Sequence, residues 1–211
     1  REGVGDEAGG EGDEGVRRAA AAAAAAGQGP PPSMNTVDYW DELYTHREQS
    51  WDTLYKYEDI RSTLLGFLRV SKAPARGELR MLHVGCGTSD LVEGLWRDGF
   101  RSICNIDYSE VVVNLMAGKW EALAAEAPDA EAGAMRSGVQ WLHMDASDLS
   151  TLAGGAFDLI LEKFTLDAML CEAKDDATDS RGCAAIREFH RVLVPEGLLA
   201  SVAWGEKTRA P

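Results

Sequence analysis

Apolar residues gather in short runs that end in turn residues, and the segments between them carry apolar positions at helical spacing. The chain therefore reads as strands alternating with helices. Met81-Leu82-His83-Val84, entered from Arg80 and stopped by Gly85-Cys86-Gly87, reads as a buried strand of a parallel sheet. Asp90 to Gly99 reads as the helix after it, with Ser89 or Thr88 as its cap. Ser102 to Asp107 is a second strand, followed by a helix over Ser109 to Met116. Leu123 to Gly138, rich in Ala, Glu and Gly, reads as a helix end running into a surface loop. Gln140 to His143, Phe157 to Leu161 and Leu198 to Ala203 supply three more strands. A charged surface loop at Ala173 to Arg181 and a helix at Ala184 to Leu193 precede the last of them.

The N-terminal third has a different texture. Residues 1–33 combine Gly, Glu and Asp with an alanine tract and Pro30-Pro31-Pro32, too little apolar variety for a core, and are expected to form a disordered leader. Its acids are unlike a transit peptide, and Met34 is a candidate start. Residues 34–78 predict a helical lid. Trp40 and Tyr44 lie four apart, Trp51 and Tyr55 repeat that spacing, and Ile60, Leu64, Leu65, Phe67 and Leu68 continue an apolar face. Those rings suit a cover for the sheet and also a wall over a ligand, and the two roles are compatible. Residues 79–211 are the core unit.

Composition narrows the function. A chain of 211 residues with 45% hydrophobic content suits one globular unit plus tails. A net charge of -14 disfavours nucleic acid and favours cationic partners such as lysine-bearing proteins. No mixed apolar run approaches the roughly 20 residues of a membrane span. Cys86, Cys104, Cys171 and Cys183 form no C-x-x-C pair and the histidines are scattered, so neither zinc nor a disulfide framework is expected. Cys86 reads as a small packing residue before a nucleophile, and a reducing compartment fits.

The candidate chemistry lies where the strands end. Gly85 and Gly87 open backbone angles closed to other residues and let main-chain N–H groups approach a ligand. The sixth position of this turn is Asp90, not the glycine of a dinucleotide site. A carboxylate there would repel phosphate and accept from a cationic amino group, which points to a nucleoside without phosphates. Asp107, 22 residues beyond Gly85, suits ribose hydroxyls, with helix capping as its alternative. Asp145, in Met144-Asp145-Ala146, adds a second acid at the same sheet edge. Glu162-Lys163-Phe164-Thr165-Leu166-Asp167-Ala168 follows the fourth strand, and its charges suit substrate chemistry or a structural salt bridge.

Together, Gly85-Cys86-Gly87, Asp107 and Asp145 on alternating strands and helices resemble the class I S-adenosylmethionine-dependent methyltransferases over about Asn35 to Trp204. The resemblance implies an α/β fold, a Rossmann-like doubly wound, mostly parallel sheet of order 3-2-1-4-5. Its final strand pair is expected to be missing from a C-terminally truncated core. It also implies that Gly85, Cys86, Gly87, Ser89 and Asp90 hold the amino-acid part of S-adenosyl-L-methionine. Asp107 would take the ribose, Tyr108 would lie against the adenine, and Asp145 would meet its amino group, with Met144 and Ala146 beside it among the cofactor-binding residues.

Tyr39-Trp40-Asp41, Trp51, Ser109 to Val113, Glu162 to Ala168 and Arg191 to Pro195 look like the narrower group of protein-lysine methyltransferases acting on elongation factor 1-alpha or citrate synthase. By that likeness Trp40, Tyr44 and Trp51 enclose the cofactor, while Glu162, Lys163 and Asp167 form the catalytic border. Glu162 is expected to orient the substrate amine, not to act as a strong base. The pattern has glycine at Phe164, arginine at Leu43 and usually glycine at Glu196, so this chain departs at three places. The implied function is methyl transfer to a protein lysine by a monomer, in the cytoplasm or the mitochondrion. A small-molecule methyltransferase and a non-catalytic cofactor-binding module are the alternatives.

Overall fold

The structure, a computed structural model, describes residues 34, 36–46, 55–170 and 180–203; Trp51, Cys171 and the leader fall outside them. Five parallel strands form one sheet in the order β3-β2-β1-β4-β5: β1 (Arg80–Val84), β2 (Ser102–Asp107), β3 (Val139–His143), β4 (Phe157–Lys163) and β5 (Leu193–Val202). This is the expected doubly wound order.

Successive side chains on a strand point to opposite faces, and both faces of the central strands β1, β2 and β4 are covered, which explains why those strands are largely apolar. On one side, Met81, Ile103, Leu159 and Leu161 meet α2 (Tyr57–Val70), α3 (Leu91–Arg97), α4 (Glu110–Glu126) and α5 (Asp129–Gly138). On the other, Leu82, Ile106 and Ile160 pack against Ala185, Phe189 and Val192 of α7 (Arg181–Val192). Two further helices, α1 (Val37–His46) and α6 (Thr165–Leu170), lie near the C-terminal ends of the strands. Among the described residues, no helix is long and apolar enough to cross a membrane.

α2 is anchored to α3 by Tyr57. Its ring is buried against Gly94, its N–H donates to Asp90 Oδ1 at 3.0 Å, and its hydroxyl donates to Asp98 Oδ2 at 2.5 Å. Arg61 clasps the same Asp98 carboxylate through Nε and Nη2, each at 2.7 Å.

Several elements differ from the sequence-based expectation. Leu123 to Gly138 is no loop: α4 continues to Glu126, and Pro128, with φ already near its helical value, opens α5. Ala124, Ala132 and Met135 are buried there. Asp90, not Ser89 or Thr88, occupies the cap position of α3, although Ser89 Oγ accepts from Leu91 N–H at 3.3 Å. Phe67, expected on the buried face of α2, is 42% exposed. α7 begins at Arg181, within the segment read as loop, and β5 begins at Leu193, carrying an irregularity at Pro195 to Gly197 before it runs regularly beside β4. β4 itself runs two residues past Leu161, so Glu162 lies inside the sheet with no exposed surface.

Candidate active site

At the end of β1 the turn Gly85-Cys86-Gly87 takes φ of 61° at Gly85 and 49° at Gly87, the left-handed region that a side chain resists. The two glycines have different neighbours. A Cβ at Gly85 would overlap the side chain of Thr165, whose Oγ1 donates to Val84 O at 3.1 Å. A Cβ at Gly87 would stand 3.1 Å from the hydroxyl of Tyr44 on α1. Between them Cys86 is buried, and that burial pushes its thiol well above the ordinary range, with Asp107 adding to the effect. It is an unreactive packing thiol.

Asp107 ends β2 beside this turn. Its Oδ2 accepts from Gly87 N–H and its Oδ1 from Ser109 N–H, both at 3.0 Å. Burial pushes its carboxyl up, and the backbone N–H groups of Ser109 and Gly87 oppose that. The Ser109 hydroxyl caps α4 by accepting from Val112 N–H at 3.3 Å. The same hydroxyl donates to Asp41 Oδ1 at 2.5 Å, tying α1 to the edge of the sheet. On α1, Trp40 stacks on Tyr44 with centroids 5.9 Å apart and donates Nε1–H to Met34 O at 2.7 Å. The Tyr44 hydroxyl end is enclosed, and its pKa is driven well above 10 by that burial and by Asp107.

Tyr108 and Asp145 form the far side of the edge, where Met144 N–H donates to Asp107 O at 2.8 Å and Ala146 is buried. Asp145 Oδ1 accepts from Ser147 N–H at 2.9 Å and Ser147 Oγ at 2.7 Å; Oδ2 pairs with Arg181 at 2.7 Å. Burial would raise the Asp145 carboxyl, but the Ser147 and Arg181 bonds prevail and hold it below the usual carboxylate value. The guanidinium of Arg181 also lies over the Tyr108 ring, 5.1 Å from its centroid.

The third group of residues follows β4. Glu162 Oε2 accepts from Thr165 N–H at 3.0 Å and Leu166 N–H at 3.2 Å, and Oε1 accepts from the Ser201 hydroxyl. Charged residues after an apolar strand were expected outside the core, but this carboxylate is internal and serves the start of α6. Burial raises its pKa, against the pull of those bonds. Lys163 and Asp167 are half-buried, with Lys163 Nζ 5.6 Å from the Phe164 ring centroid. Phe164 faces Tyr55 at 5.9 Å and has φ of 62°.

Residues 82–201 match the family described as methyltransferase domain. The chain belongs to that family. Among curated relatives, it is 32% identical over 167 residues to the mitochondrial citrate synthase-lysine N-methyltransferase of Pongo abelii, covering 76% of this chain and 66% of the relative. It is 32% identical over 171 residues to EEF1A lysine methyltransferase 4 of Bos taurus, covering 79% and 60%. The chain thus spans somewhat under two thirds of the length of these relatives. A crystal structure of a SAM dependent methyltransferase from Aquifex aeolicus superposes with a TM-score of 0.53 at 19% identity, covering 83% of this chain and 78% of that one, a likeness of fold.

The methyltransferase edge therefore gathers Gly85, Gly87, Asp107, Tyr108, Asp145 and the α1 residues Trp40 and Tyr44, with Glu162 beneath α6; Trp51 lies outside the described residues. Four residues at this edge had been given no site role by the sequence reading. Asp41 and Ser109 sit 68 positions apart, beyond any local pattern. Thr165 carried no signal at all. Arg181 was hidden by its place in a segment read as a charged loop, where the structure instead starts α7.

Proposed function

We propose that this protein is an S-adenosylmethionine-dependent methyltransferase whose acceptor is a lysine of a protein. The observation that carries this reading is the buried Asp107 carboxylate, held by the N–H groups of Gly87 and Ser109 at the mouth of a glycine turn. Each oxygen accepts one backbone bond and keeps a second acceptor site, the chemistry that a pair of ribose hydroxyls requires. Gly85 to Gly87 with Ser89 and Asp90 bear the amino-acid end, Tyr108 with Met144, Asp145 and Ala146 the base, and Trp40 with Tyr44 the cover. When bound, S-adenosylmethionine supplies a methyl group on a positively charged sulfur, which leaves as a neutral thioether as an amine nitrogen takes the methyl in line.

The residues of this chain chiefly position. An acceptor lysine must lose its proton first, at a cost of about 4 to 5 kcal/mol at pH 7 from a reference value near 10.4. The Phe164 and Tyr55 rings desolvate the approach and lower that cost. Glu162 acts as a positioning residue through the backbone of Thr165 and Leu166, and Lys163 and Asp167 border the acceptor. The relatives named for citrate synthase and EEF1A lysines support a protein acceptor, as does the charge of -14. A monomer in the cytoplasm, or in the mitochondrion like the Pongo abelii relative, fits this role.

Incubation with methyl-labelled S-adenosylmethionine and cell lysate is the test. Label in a protein band that vanishes with Asp107→Ala supports the reading. Label only in the small-molecule fraction would make the acceptor a small amine or hydroxyl. Cofactor binding without transfer would make the chain a binding module.

A further inference from the structure

The seat of the adenine already has a protein group in it. Asp145 Oδ1 accepts two bonds from Ser147, which leaves Oδ2 as the oxygen open to a ligand amino group, and that oxygen is the one Arg181 holds at 2.7 Å. The same guanidinium covers the Tyr108 ring at 5.1 Å. A flat ring needs roughly 3.5 Å on each side, so a base stacked between Tyr108 and the guanidinium would require about 7 Å. There is no room for both. Arg181 moreover stands in the first turn of α7, which contains no acidic residue, so its charge gains nothing from its own helix. Asp145 and Tyr108 are among its partners.

We propose that Arg181 guards the adenine seat: its guanidinium must leave both Asp145 Oδ2 and the Tyr108 face before an adenosyl group can take them. This rests on the assignment of Asp145 and Tyr108 to the base in the reading above. Arg181 thereby sets cofactor affinity and exchange without touching the methyl group. Because the pair is about 40% exposed on both sides, it is weak enough to open and is screened by salt.

Calorimetric titration of S-adenosylhomocysteine into the whole chain, Arg181→Ala and Arg181→Lys tests this. The expected result is tighter binding by Arg181→Ala, by roughly two- to tenfold, from release of one exposed ion pair and one ring contact. Arg181→Lys, which keeps a charge but cannot spread over the ring, should fall between. Added salt should strengthen binding to the unmodified chain and leave Arg181→Ala unmoved. Weaker binding by Arg181→Ala would overturn the proposal and make Arg181 a ligand of the bound base; equal affinity in all three would overturn it too. If none of the three binds while all are folded by circular dichroism, the cofactor assignment itself fails and the guard falls with it.

Discussion

Phe164 and Glu196 adopt the same left-handed backbone, with φ of 62° and 63°, and they are the described non-glycine residues that do so. Each sits where the family likeness leads one to expect glycine. A side chain in this region costs about 1 to 2 kcal/mol, while glycine returns part of that gain through its freer unfolded chain. Glu196→Gly should therefore raise stability by about 1 kcal/mol or less, read as a higher denaturant midpoint. The Lys72 to Glu196 pair that it removes is strongly exposed at both ends and contributes little.

Phe164→Gly separates strain from function. Relief of the same backbone strain offsets the lost Tyr55 contact, so stability should change by less than about 1 kcal/mol. If the ring desolvates the acceptor amine, the variant needs a higher pH to deprotonate it. The rising limb of the pH–rate profile should then move upward; an unmoved limb would show that the ring serves packing alone.

Gly94 lies in the interior of α3, where alanine normally stabilises a helix by about 1 kcal/mol. Here the added methyl would enter the Tyr57 ring. Gly94→Ala should instead cost about 1 to 3 kcal/mol and loosen α2, measured by chemical denaturation and by faster hydrogen exchange over residues 57–70.

Asp98 predicts an acid-sensitive joint. Arg61, and then Tyr57, hold its carboxyl down at about 2, against an ordinary value of 3.8. A depressed carboxylate contributes stability above the unfolded value and loses it as pH falls through the folded one. Its contribution is present above pH 3.8 and disappears as the pH falls towards about 2. Asp98→Asn should be less stable near neutrality by about 1 kcal/mol, and the gap should close over that window in acid-titrated melts.

Asp41 is the contact that holds α1 over the glycine turn through the Ser109 hydroxyl. Asp41→Ala leaves the sheet untouched and should weaken cofactor binding by roughly tenfold to a hundredfold, the worth of a hydrogen bond to a charged group. An unchanged dissociation constant would mean that α1 is seated by Trp40 and Tyr44 alone.

The parts of this molecule that could be read from sequence are those whose cause is local. Met81 to Val84 could be placed because a buried parallel strand is largely apolar, and Asp107 because strand, turn and helix fix its distance from Gly85. Glu162 was misplaced for the opposite reason. The groups that make its burial tolerable include Ser201, 39 positions away on a neighbouring strand. Arg181 reaches Asp145 across 36 positions, from a segment whose charge density reads as solvent-facing loop. The segment Leu123 to Gly138 misled because its Ala, Glu and Gly content does not show that a break of two residues, Ala127 and Pro128, separates two helices.

The interlock of Gly85 with Thr165 has a bearing on how such a protein can change. The glycine turn and the first residue of α6 fill one another's space, and Thr165 is bonded to Val84 and to Glu162 besides. Neither can be enlarged or shifted alone, so variation at one is inherited as variation at both. The glycine turn and the start of α6 therefore change as a single character.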